Sequence, residues 1–501
     1  MRRLLLAAAC VIAIALPAAA QTTLRIGLGE DPDILDPTLA RTFVGRIVFS
    51  GLCDKLFDID AKLTIVPQLA ASYEWADPKT LVIKLRPGVS FHDGEKLDAA
   101  AVKYSLERHV TMQGSFRRSE LSAMDRVEVV DPLTVRIILK EPSAPFLAQL
   151  TDRSGMIVSP KAAEAAGKDF GLKPVCAGPF RFVERVSQDR IVLEKFPGYW
   201  NAAAIHLDRV VYRPISDTSI RLANLRAGSL DLIERVAPTD VAEVKKDPRL
   251  RLDTVIQLGY LGVTFNTGNG ARAQTPLGQD ARVRQAFDLA LDRQALVDVV
   301  FNGMYLPTAQ AVPPDSPFHI ASLKPPSRDL ARARALLKDA GVVMPFPVEL
   351  TVPNTPEQRQ YAEVMQSMLA EAGFALKINT MEFASALQAA TRGDLQAFLV
   401  GWSGRVDIDG NLYSFVHSAG ALNDGKYANP EVDALLAESR RDADLAKRRA
   451  VYEKIWNILR RDLPIIYLYH PKNLFGMSTK VTGFIGVPDG MIRLQGLKLA
   501  P

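Results

Sequence analysis

The sequence predicts an α/β protein of two lobes with an extra subdomain in the first, and three observations lead there. About 480 residues follow an export-type leader, more than one hydrophobic core usually supports. Residues 348–379 carry a βαβ pattern, whose two strands should lie parallel in one sheet. Apolar strands at residues 260–266 and 464–469 bracket that part of the chain, so two crossing segments join it to the rest, as a hinge requires.

The leader is residues 1–20. Arg2 and Arg3 precede a short apolar run broken at Pro17, and Ala18-Ala19-Ala20 ends it as a cleavage site. The run falls short of the ~20 residues of a membrane span, and no later stretch reaches that length. An exported chain that is not embedded in a membrane follows. Removal of both arginines takes the formal charge from +5 to +3. No basic block with interleaved aromatics is present, which argues against nucleic acid as a partner.

In chain order, residues 23–28 (TLRIGL) alternate as a first strand and GEDPDILDP turns the chain. Residues 38–56 have the apolar face of a helix. Leu81, Ile83 and Leu85 form a strand, Pro87-Gly88 turns it, and Asp98 caps a helix carrying Val102 and Leu106. His92 and Asp93 are neighbours on an extended segment and point to opposite sides, so a turn is the preferred reading over a catalytic pair. A hairpin turns at Asp131-Pro132, and residues 174–200 show a second two-strand pattern after Gly178-Pro179. Gly228 stops a helix begun near Ser219. Beyond residue 266, Asp280 and Asp292 cap two helices. Thr355-Pro356 start and Gly373 ends the helix of the βαβ unit. Residues 395–402 form a strand, followed by a loop at 401–418, two helices at 431–440 and 446–461, and the strand that returns to the first lobe. Ligands of open α/β sheets sit outside the carboxyl ends of such strands, which directs attention to the loop at 401–418.

Three segments carry a family resemblance. KTLVIKLRPGVSFHDGEKLDAAAVKYSLERH (79–109), PVCAGPFRFVERVSQDRIVLEKFPGYW (174–200) and ARVRQAFDLALDRQAL (281–296) resemble, in this order, the hallmarks of bacterial extracellular solute-binding proteins of family 5, the large receptors of peptide and nickel ABC importers. The resemblance covers nearly the whole mature chain. It implies a type II periplasmic binding protein of the large, cluster C-like kind, with lobe I in residues 21–55, 175–265 and 471–501, an inserted subdomain in 56–174, and lobe II in 266–470. It further implies a monomer in the periplasm that closes on a small molecule or peptide and delivers it to the transmembrane subunits of an ABC permease. An exported hydrolase using the same cleft is the alternative from another class.

The residues offer little for catalysis. There is no H-E-x-x-H, C-x-x-C or phosphate-loop motif, and Arg405 replaces the last glycine of a nucleophile elbow in GWSGR. Six histidines stand singly, so neither a metal nor another cofactor is expected. In peptide-binding relatives an aspartate three residues after the tryptophan holds the ligand's ammonium. Here that position is Arg405, which suits a carboxylate. Asp407 and Asp409 bind a cation, pair with Arg405, or cap the next helix. Trp402 stacks on the ligand or belongs to the core, Tyr260 stands on the strand entering the cleft, and Arg153 falls near an arginine that meets a ligand carboxylate in nickel-chelate relatives. The mature chain keeps two cysteines, Cys53 and Cys176, which in an oxidising compartment form a bridge closing a loop of about 120 residues or remain two buried thiols.

Overall fold

A computed structural model describes residues 21–500. The leader assigned to residues 1–20 lies outside the described residues. Three sheets organise the chain. The first has seven strands in the order Leu250–Ile256, Lys472–Ser478, Leu232–Ile233, Thr23–Leu28, Arg209–Pro214, Arg190–Lys195 and Phe180–Val186. The second has six: Leu306–Pro307, Ile465–His470, Tyr260–Phe265, Ala397–Trp402, Phe346–Pro353 and Phe374–Met381. A four-stranded antiparallel sheet is built from Ala70–Asp77, Thr80–Leu85, Thr134–Leu139 and Met124–Asp131.

Local chemistry sets the elements. The βαβ unit pairs Phe346–Pro353 with Phe374–Met381 in parallel across eight residue pairs. Between them the helix Pro356–Ala372 starts where Thr355 accepts a hydrogen bond from the Gln358 amide and ends on Gly373 at φ +102°. Asp98, Asp280 and Asp292 each accept from an amide in the first turn of the helix that follows. The two-strand pattern after Gly178-Pro179 is an antiparallel hairpin. Each large sheet buries its own apolar cluster, the first around Leu24, Ile26, Val210 and Tyr212, the second around Val263, Phe287, Leu350 and Leu399.

Several expectations need correction. The helix expected over residues 38–56 is shorter, Phe43–Leu52, because Asp36 accepts from the Thr38 amide in a tight turn and Thr42 caps the helix proper. The loop expected at 401–418 contains the helix Asp409–Val416. The strand Tyr260–Phe265, assigned to the first lobe, pairs with Ala397–Trp402 and Ile465–His470 and so belongs to the second sheet. The chain therefore crosses at residues 257–259 and returns at Pro471, and the Gln257 amide donates to the Pro471 carbonyl at 3.2 Å, tying the two crossings side by side.

Candidate functional site

The cleft between the two large sheets encloses a cavity of about 220 Å³. Its walls come from both sides: Glu30 and Phe43 after the first strand, Arg117 and Arg153 near the four-stranded sheet, Arg235 beside the crossing, Tyr260, Trp402 and Tyr469 from the second sheet, and Glu357 and Gln358 from the start of the βαβ helix. The two lobes touch around this space. Arg41 forms an ion pair with Asp424 at 2.6 Å and donates to Thr391 at 2.7 Å, Arg46 donates to Ser403 at 2.8 Å, and Gln149 donates to Asp409 at 3.0 Å.

Trp402 lines the cavity, and its Nε1 donates to Asn411 Oδ1 at 3.0 Å. The same Asn411 oxygen accepts from the Arg405 amide at 2.8 Å, so one side chain fixes both residues. The Arg405 guanidinium lies 4.3 Å from the Trp402 ring centroid, 94 % of the residue is buried, and it is absent from the cavity wall. Its ionic partner is Asp152 of the opposite lobe at 3.3 Å. Burial, opposed by Asp152, lowers the Arg405 pKa to about 10.

Asp407 and Asp409 also turn away from the cavity. Asp407 binds both terminal nitrogens of Arg448 at 2.7 Å and accepts from the Asp409 amide at the helix start. Asp409 takes Arg440 at 2.6 and 2.8 Å as well as Gln149. The pairing of Arg405 with Asp407 does not form, since two helix arginines already occupy the aspartates. Among the described residues no group of three His, Cys, Asp or Glu is arranged to hold a metal ion.

Arg153 and Tyr260 do reach the cavity. Arg153 is fully buried, and its Nη1 donates to the Ala40 carbonyl at 2.7 Å. Its Nη2 has no hydrogen-bond acceptor. Burial raises the Tyr260 pKa, so the phenol stays protonated. Cys53 and Cys176 lie at bonding distance with Cα atoms 4.9 Å apart, at the end of the Phe43–Leu52 helix and before the Phe180–Val186 hairpin.

Sequence reasoning passed over several wall residues. Arg117 stands beside Arg153 and donates to the same Ala40 carbonyl at 3.4 Å. Glu30 lies 3.6 Å from Arg235, its Oε1 has no hydrogen-bond partner, and burial, opposed by Arg235, raises its pKa to about 7. Glu30 belongs to the GEDPDILDP turn, which resembles the family's cleft-facing opening loop, but the turn chemistry does not single out Glu30 as a wall residue.

Residues 64–423 match the family model of bacterial extracellular solute-binding proteins, family 5. The chain belongs to this family. It is 31% identical to the glutathione-binding protein GsiB of Pectobacterium atrosepticum, over 99% of this chain and 98% of that protein. The solved structure of the binding protein AgaA from A. tumefacien R10, in complex with agropinic acid, superposes with a TM-score of 0.88 at 28% identity, covering 96% of this chain and 99% of that one. The murein tripeptide binding protein MppA of Escherichia coli shares the fold, with a TM-score of 0.90 at 22% identity over 96% and 99% of the two chains. This family 5 chain is thus a two-lobed solute-binding protein of the ABC-importer type. Among its described residues, no helix is long and apolar enough to cross a membrane.

Proposed function

We propose that this protein acts as a monomer in the periplasm, closes on a small carboxylate-bearing solute such as a short peptide, and passes it unchanged to an ABC permease. The observation that carries the reading is Arg153, a fully buried guanidinium on the cavity wall with a donor left unpaired. Asp152 lies 3.4 Å from its Nε but is shared with Arg46 and Arg405, so a second anion at the open donor lowers the cost of burying this charge. Glutathione is the first probe, because it carries carboxylates and because a relative 31% identical over nearly the whole chain is named for binding it. Trp402 and Tyr260 supply aromatic wall for the body of the solute, while Arg405, Asp407 and Asp409 act indirectly by holding that wall and the lobe contacts in place.

The test is calorimetric titration with glutathione and with di- and tripeptides, paired with mass spectrometry of small molecules released on denaturation. Arg153→Ala should weaken binding by about 2 to 5 kcal/mol, the usual loss when one side of a buried charge pair is removed. Unaltered affinity in that variant would refute the anchor. Turnover of the bound compound would favour an exported hydrolase.

A further inference from the structure

The charges behind the Arg153 wall do not balance. Four guanidiniums, from Arg46, Arg117, Arg153 and Arg405, are each at least 94 % buried in one cluster. Two carboxylates face them. Asp152 contacts Arg46, Arg153 at 3.4 Å and Arg405 at 3.3 Å, and Glu120 takes Arg117 at 2.6 Å. Asp489, also near Arg46, is committed to Arg493 at 2.8 Å. Arg41 and Asp424, at the same cleft, neutralise each other. Four cations against two anions leave two positive charges in excess, in a place from which water is largely withdrawn and where arginine does not lose its proton.

The excess is directed toward the cavity. Arg117 and Arg153 both line it and both converge on the Ala40 carbonyl, one neutral oxygen shared between two guanidiniums. Nε of Arg117 and Nη2 of Arg153 have no hydrogen-bond acceptor. Burial and then the neighbouring Arg117 charge push the Arg153 pKa well below the ordinary arginine value, with Asp152 opposing. The same cations overcome the burial of Asp152 and hold its carboxyl well below the usual range.

We infer that the solute brings a doubly negative group to the Arg117–Arg153 wall, either two carboxylates of one molecule or a phosphate monoester. This rests on the receptor reading and narrows it, since a single carboxylate leaves one buried charge uncompensated. Such a group offers enough acceptors for both guanidinium forks.

The test uses mature protein in low-salt buffer and three probes at matched ionic strength: acetate, succinate and glycerol 3-phosphate. Succinate or glycerol 3-phosphate should raise the thermal midpoint where acetate does not, and whichever does so identifies the source of the two charges. The difference should vanish in Arg153→Met. Equal shifts for all three anions, zero included, overturn the inference. A second arm needs no solute: removing one of the repelling cations should raise the midpoint of the unliganded protein in both Arg153→Met and Arg153→Gln. A lowered midpoint in both variants overturns the proposed excess of charge. A released molecule that carries neither two carboxylates nor a phosphate overturns the inference while leaving the receptor reading intact; failure of every solute to induce closure removes the receptor reading, and the anion comparison still decides the charge.

Discussion

At the scale of single residues, the buried polar groups set how stability depends on pH. Asp54 is 1% exposed, and its Oδ2 accepts from Tyr199 at 3.0 Å and Trp200 at 2.8 Å. Burial outweighs these hydrogen bonds and raises its pKa to about 7. The folded state then holds a proton that the unfolded chain releases near pH 4. This contribution is fully present below about pH 4 and is lost as pH rises through about 7, a swing of about 4 kcal/mol. Asp54→Asn should remove the swing, so that the variant gains on the parent steadily between pH 4 and 7 in urea unfolding. Parallel stability curves would show that Asp54 titrates normally. The same scale shows why Arg405 misled a reading of sequence. Its partner Asp152 lies 253 positions away in the chain and on the other lobe, and no local pattern announces a pair made by folding. The sign of the charge was legible, and its recipient was not.

At the scale of elements, caps and turns were legible because the groups that make them are two to four residues apart. Asp98, Asp280, Asp292, Thr355 and Gly373 all act where the sequence places them. Strand partnership is a different matter. Tyr260–Phe265 is apolar enough for either large sheet, and only its register with Ala397–Trp402 assigns it to the second. Cys53 and Cys176 show the same dependence on distant packing. Gly178 comes so close to the Leu52 carbonyl that a Cβ there would sit 2.4 Å from it, and this approach sets the two cysteines side by side. Denatured, unreduced mature protein should show almost no titratable thiol. Replacing both cysteines with alanine should cost up to about 5 kcal/mol, the chain-entropy value for closing a loop of more than a hundred residues. Two titratable thiols would mean that the pair is reduced in the protein as purified.

At the scale of the whole molecule, the contacts across the cleft describe a closed state. Residues 257–259 and Pro471 are the covalent links between the two large sheets, and their pairing makes a short, narrow hinge. Against it stand polar contacts across the cleft, among them Arg41 with Asp424 and Thr391, Arg46 with Ser403, Arg405 with Asp152, Gln149 with Asp409, Ser119 with Ser414 and Glu141 with Arg441. These ion pairs form only on closure, and closure also crowds Arg405 against Arg46, Arg117 and Arg153. Without solute the gain and the repulsion oppose each other, so the free protein should rest open, and a bound anion should tip the balance by its preference for the closed form. Small-angle scattering should give a radius of gyration for the free protein larger than that of the closed structure, shrinking on saturation with glutathione or whichever solute is released from the protein. Arg41→Ala removes a closing contact made to Asp424 and Thr391 of the second lobe, next to the Ala40 carbonyl that Arg153 holds. It should weaken apparent affinity by about 1 to 3 kcal/mol, as expected for a lost charge-assisted pair, while the saturated radius and the unfolding midpoint of the free protein stay as they were. A free protein already as compact as the closed structure would mean that closure does not await the solute. Arg41→Ala would then leave affinity unchanged.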